Sequence, residues 1–212
     1  MIIYVVFYSE HGHIYRLAEA VAEGARSVDG ASVKILRTAN PNWITAQENS
    51  AAMESQKSFA HIPVISAKEL AGADAIIFGT PAKFGMMAAP MRELMDQTRP
   101  LWAAGSLIGK IGSVFTSTTI HLGGQESALT SFHVTLLHLG MIIVGVPYCE
   151  NRLLSINALS GRNPYGASAV AGPDGDFVPN ETEIGIARFQ GQHVAEITKF
   201  LLRGKELSRG RQ

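Results

Sequence analysis

The sequence predicts a doubly wound parallel α/β sheet of five strands in the order 2-1-3-4-5. Three observations carry this. The chain opens on Ile2-Ile3-Tyr4-Val5-Val6-Phe7, apolar throughout, which reads as a strand buried on both faces. A polar turn, Ser9-Glu10-His11-Gly12-His13, follows, after which Ile14, Leu17, Ala18, Val21, Ala22 and Ala25 recur on one face of a helix. Further strand-like stretches then alternate with helical ones, the pattern of βα units joined by right-handed crossovers.

The first helix stops at Gly30. Val33-Lys34-Ile35-Leu36-Arg37 alternates apolar with polar residues, which suits the edge of a sheet. Residues 38–66 carry no clean period and hold Pro41, Trp43 and Pro63, so an irregular excursion with a short helix around 45–57 is expected. Ser66-Ala67-Lys68-Glu69 has capping-box spacing and opens a short helical turn. Residues 73–79 form the third strand, and a loop covers Thr80 to Gly85. Met87, Met91, Leu94, Met95 and Thr98 give the face of the next helix. Residues 111–116 form the fourth strand, which ends in a polar, glycine-bearing loop from Ser117 to Gln125. Leu129, Phe132, Leu136 and Leu137 mark the helix after it, and residues 141–146 the fifth strand. Residues 147–180, with Asn163-Pro164-Tyr165-Gly166 and Gly172-Pro173-Asp174-Gly175, read as an ordered excursion built from turns. A last helix covers about 182–203, with Val194, Ile197 and Leu201 facing inward. One domain over 1–205 and a frayed tail over 206–212 are expected.

Composition narrows the function. Lys plus Arg and Asp plus Glu stand at 18 each, so no global field draws the chain to nucleic acid or an anionic membrane. Cys149 is the single cysteine, which rules out an intramolecular disulfide and suggests a reducing compartment. The apolar N-terminus has no basic flank and reads as a strand, not a signal peptide. No run approaches the roughly 20 apolar residues of a membrane span. A soluble, cytoplasmic protein is expected, and no metal-ligating set is read.

In such a sheet, ligands lie at the carboxyl ends of the strands, at the switch point between strands 1 and 3. The polar loops at 9–13, 80–85 and 117–124 follow strands 1, 3 and 4 and therefore converge. The first suits a phosphate, with backbone N–H groups at a helix N-terminus, the Ser9 hydroxyl, and Gly12 for close approach. It lacks the lysine of a Walker A motif and the Gly-x-Gly-x-x-Gly of the dinucleotide fold, so a mononucleotide fits better. The other two loops offer amides, hydroxyls and one cation, Lys83, which suit the edge of a flat heterocycle. Flavin mononucleotide (FMN) meets both demands.

Ser-x-x-Gly-His-Ile at 9–14, Gly-Thr-Pro-x-x-Phe-Gly at 79–85, Met-Arg at 91–92, Asp-Gln-Thr at 96–98 and Leu-Trp at 101–102 occur in order. Gly-Gly-Gln-Glu at 123–126, His-x-Gly-Met at 138–141, Pro-Tyr-Gly-Ala at 164–167 and Ile-Ala-Arg-x-Gln-Gly at 186–191 complete the series. The chain resembles, over nearly its whole length, the WrbA family of flavodoxin-like NAD(P)H:quinone oxidoreductases. The resemblance implies FMN, NADH or NADPH as co-substrate, two-electron reduction of a quinone, and a homotetramer. It places Ser9, His11, Gly12, His13 and Ile14 around the phosphate and ribityl chain. Thr80, Pro81, Ala82, Lys83, Phe84 and Gly85 line the ring; Ser117, Thr118, Thr119, Ile120, Gly123 and Gly124 close its other side. His138 falls near the ring and Trp102 on the wall of the substrate pocket, the two candidates for a catalytic part. His11 stands where the family commonly has Tyr, and Lys83 where it has Arg.

Each of these residues has a plainer reading. Trp102 also suits a core, His138 a helix C-terminus where a cation favours the dipole, Lys83 a solvated loop, and the methionines simple packing. Two other activities share the scaffold: a flavodoxin-type electron carrier, and an NAD(P)H-dependent flavin, azo or nitro reductase. The neutral charge balance argues against the acidic face of a carrier and against a DNA-associated protein.

Overall fold

A computed structural model describes residues 1–40, 55–154, 161–173 and 175–209. The helix expected around 45–57 lies mostly outside these residues, and 55–57 are helical. The strands β1 (Ile2–Phe7), β2 (Ser32–Arg37), β3 (Ala75–Lys83) and β5 (Ile111–Thr118) form a parallel sheet in the order β2-β1-β3-β5, with β2 at the edge. The helices are α1 (His13–Arg26), α2 (Ala89–Asp96), α3 (Arg99–Ala103), α4 (Gln125–His138) and α5 (Glu181–Arg209). A 3₁₀ turn, Ala67–Gly72, opens at Ser66, whose N–H and Oγ both donate to the Glu69 carboxylate.

The alternation of β1 sorts its side chains between two cores. Ile3, Val5 and Phe7 pack with α1 and the buried face of α5; Tyr4, Val6 and Tyr8 pack with α2 and α4. Strand β3 divides likewise, Ile77 to the first core and Ile76 and Phe78 to the second. A strand used on both faces must be apolar at every position, which is what 2–7 shows. Helices α1 and α5 touch backbone to backbone. A Cβ at Gly24 would stand 1.8 Å from the Arg188 carbonyl oxygen, and one at Gly191 1.9 Å from that of Val21.

Several boundaries differ from expectation. β3 runs on to Lys83 and pairs antiparallel with β4 (Met86–Met87), so Thr80 to Lys83 are strand and Met87 precedes its helix. β5 likewise extends through Ser117 and Thr118. The fifth strand is split. β6 (Ile142–Ile143) pairs with Ile111 and Gly112, the chain leaves the sheet, and β7 (Ser168–Val170) returns to pair with Thr116 to Thr118. The last helix is also longer than expected, reaching Arg209.

Buried amides hold the returning segment. Gln190 is fully buried; its Oε1 accepts the Ala167 N–H at 2.8 Å, and its Nε2 donates to the Ser113 hydroxyl at 2.7 Å and the Val114 carbonyl at 2.9 Å. These bonds replace ladder bonds that the broken strand cannot make. The passage is close, since a Cβ at Gly166 would meet the Val114 carbonyl oxygen at 1.9 Å.

Candidate functional site

The carboxyl ends of β1, β3, β5 and β7 open on a cleft of about 340 Å³. Ser9, His11, His13 and Ile14 line it from the first turn, Pro81, Ala82 and Lys83 from β3, and Ser117, Thr118 and Thr119 from β5. Ten of the expected residues are thus brought together, by strands that deliver their C-termini to one edge. Glu10 and a turn over Ala171, Gly172, Pro173 and Gly175 complete the lining, and neither was expected there.

The first turn is built around Ser9 and Gly12. Ser9 is buried, and its Oγ accepts the N–H of Gly12 at 3.1 Å and of Tyr15 at 3.4 Å. Its own proton is left to donate into the cleft. Gly12 caps α1 with φ at 87°, in the left-handed region. Among the described residues, the N–H groups of His13 and Ile14 have no acceptor, as at any helix start. An anionic group fits this cradle with no basic side chain. A Cβ on Gly12 would point away from the cleft, toward Ser55 at 3.7 Å. The residue's function is therefore its backbone conformation and not an open path to the ligand.

The turn of Ala171, Gly172, Pro173 and Gly175 closes the cleft beside the first turn. The Phe177 N–H donates to the Ala171 carbonyl at 2.9 Å, and a Cβ at Gly175 would lie 3.4 Å from the His11 ring. His13 is buried, and its ring hydrogen-bonds to the Phe177 backbone. Desolvation pushes its pKa below the ordinary value, outweighing that bond. A depressed pKa favours the neutral ring, so this stability is present above the unfolded value of about 6.5 and is lost as pH falls through the folded one. His13→Gln is expected to flatten the fall of the urea midpoint between about pH 7 and pH 5. An identical slope in wild type and variant would remove His13 from this role.

Lys83 is not a free cation. Its Nζ lies 2.7 Å from the Glu10 carboxylate, which ties the first turn to the end of β3. The pair is half-solvated and contributes little to stability. Its bearing is on the field in the cleft.

Other expected residues stand outside it. Thr80 is fully buried; its Oγ1 accepts the Ala88 N–H at 3.0 Å, fixing the start of α2. Phe84 and Gly85 form the β3–β4 hairpin tip, with φ at 52° and 75°. That geometry leaves the Phe84 ring fully in solvent. Gly124 caps α4 with φ at 89°, and Gly123 lies in the turn before it. Ile120 faces a neighbouring cavity. His138 ends a 14-residue helix that starts beside Thr118, roughly 20 Å along the axis toward the opposite edge of the sheet. Trp102 is 60% exposed on α3, in the connection that leads into the start of β5. Neither reaches the cleft of its own chain.

Residues 6–149 match the family described as NADPH-dependent FMN reductase. A protein of Aromatoleum aromaticum named NAD(P)H dehydrogenase (quinone) is 53% identical over 97% of this chain and 99% of its own length. One of Trichlorobacter lovleyi with the same name is 56% identical over 92% of this chain and 96% of its own. Among solved structures, a flavodoxin-type WrbA-like protein from Agrobacterium tumefaciens superposes with a TM-score of 0.61 at 22% identity, covering 93% of this chain and 97% of the other. That likeness shows the fold.

Proposed function

The chain belongs to the NADPH-dependent FMN reductase family, and we infer that it is an FMN-dependent NAD(P)H:quinone oxidoreductase. The observation that carries this is the cleft where the first turn, β3 and β5 meet, with N–H groups at the start of α1 that have no acceptor among the described residues. FMN, when bound, supplies the two-electron acceptor and donor between nicotinamide and quinone. The protein's part is binding, orientation and electrostatics. Ser9 and the amides of His13 and Ile14 suit the phosphate, and Ala82, Lys83 and residues 117–119 suit the ring. Purified protein is expected to turn over NAD(P)H catalytically only when FMN and a quinone are both present. A rate independent of quinone, with free FMN as the acceptor, would favour the flavin-reductase reading instead.

The ion pair sets the local potential. Lys83→Met leaves the Glu10 carboxylate uncompensated and is expected to lower the flavin's two-electron potential; Glu10→Gln leaves the cation and is expected to raise it. Redox titration of both variants decides this. Shifts of the same sign, or none, would return Lys83 to the solvent.

The ordered motifs favour the WrbA branch and a homotetramer whose quinone pocket is walled partly by a neighbouring subunit, and the single cysteine, Cys149, suits a cytoplasmic setting. In support, Trp102 and His138 are exposed far from their own cleft, and Phe84 and Leu122 stand 106% and 87% exposed near it. Among the described residues, no helix is long and apolar enough to cross a membrane. Sedimentation over a range of concentrations, run beside quinone-reductase assays, tests the assembly. A fully active monomer would contradict it.

A further inference from the structure

A second cavity of about 410 Å³ adjoins the cleft and shares Thr119, Gly172 and Pro173 with it. Its lining is chiefly apolar, from Ile120, Val170, Pro173, Phe177 and Val178. Ile120, Phe177 and Val178 are exposed there, and the Phe177 backbone is held. The Phe177 N–H donates to the Ala171 carbonyl, and the His13 ring bonds the Phe177 backbone. Glu183, 1% exposed, accepts the N–H groups of Gly161, Val170 and Asn180 at 3.0, 2.9 and 2.9 Å. It is a scaffold for this floor, with both carboxylate oxygens engaged by backbone. The cavity is therefore an apolar surface next to the cofactor cleft, with backbone bonds at Val170, Phe177 and Asn180 in its lining.

We propose that this cavity takes the apolar substituent of a ring-substituted quinone while the quinone head lies beside the FMN that fills the cleft. The proposal rests on the quinone-reductase reading above. Continuity through Thr119, Gly172 and Pro173 places the occupant within reach of the cleft. The lining selects against a nicotinamide dinucleotide, whose pyrophosphate needs cations or free N–H groups. Among the described residues, its ionisable side chains are His121 and the fully engaged Glu183. Preformed apolar cavities with few polar groups are the usual form of small-molecule subsites.

The test compares unsubstituted 1,4-benzoquinone with its decyl-substituted analogue, using FMN-loaded protein. Wild type is expected to show a KM about tenfold lower for the decyl compound, the effect of burying about two methylene groups. Val178 is exposed at the rim and outside the cleft, so Val178→Asp is expected to fold. This variant should raise the decyl KM about tenfold while the benzoquinone KM and kcat hold. Val178→Ile should keep the preference, and Phe177→Ser should reproduce the loss. Equal KM values for the two quinones in wild type, or equal shifts for both in Val178→Asp, overturn the proposal. A change in sedimentation by Val178→Asp with the decyl preference intact assigns the surface to a second copy of the chain and overturns it too. If neither quinone is reduced, the quinone-reductase reading itself fails. Benzoquinone turnover without a decyl preference sinks the subsite alone.

Discussion

Gly12→Val is expected to weaken FMN binding about a hundredfold. The residue sits at φ 87° as the cap of α1, where an L side chain clashes with its own backbone. The left-handed conformation costs about 1–2 kcal/mol for such a residue, and a β-branched one at a tight turn reaches about 3 kcal/mol. The chain relaxes that strain by moving the turn, which takes the Ser9 hydroxyl and the amides of His13 and Ile14 out of register. About 3 kcal/mol corresponds to roughly two orders of magnitude in affinity. The added side chain would point toward Ser55 and not into the cleft, so backbone strain and steric blockade make different predictions. Gly12→Asn tolerates positive φ and should keep most of the affinity. Fluorescence titration with FMN decides between them. An Asn variant as weak as the Val one would mean blockade, and unchanged affinity in both would misplace the phosphate.

Gln190→Leu is expected to destabilise the fold by about 3–5 kcal/mol. The variant fills the volume but orphans the Ala167 N–H and the Val114 carbonyl, and removes a donor from the Ser113 hydroxyl. Each buried, unsatisfied polar group costs about 1–3 kcal/mol. The loss falls where β7 joins the sheet, immediately before the Ala171 to Gly175 wall of the cleft. FMN affinity should therefore drop together with the urea midpoint. A loss below about 1 kcal/mol would show that water or a shifted backbone replaces the amide.

Much of this architecture is legible because each strand's burial is written in its own residues. The unbroken apolar run of β1 and the alternation of β2 give a central and an edge strand without any tertiary information. The split fifth strand is not legible. Val144 and Val146 continue the apolar run, but Val146 donates its N–H to the Pro164 carbonyl, and a Cβ at Gly145 would stand 2.3 Å from that oxygen. The strand's second half is three residues long, and only its pairing with Thr116 to Thr118 reveals it. The first turn and the ends of β3 and β5 could be placed because topology brings them together. Glu10 was hidden as a variable position inside a motif. Gln190 carries its signal in its spacing. It lies four residues from Ile186 and from Val194, a polar residue on an apolar helical stripe, where burial demands partners. Trp102 and His138 show the reverse, since the motifs that hold them say nothing about how far they stand from the cleft of this chain.

The central claim is that FMN in this cleft passes electron pairs from NAD(P)H to a quinone. The most direct measurement is the visible absorbance of the FMN-loaded protein under anaerobic conditions, with a nicotinamide added first and a quinone second. The expected result is loss of the oxidised-flavin band on adding one equivalent of NADH or NADPH, then full recovery with one equivalent of quinone. A band unmoved by either nicotinamide, or one that stays bleached with quinone present, would contradict the account.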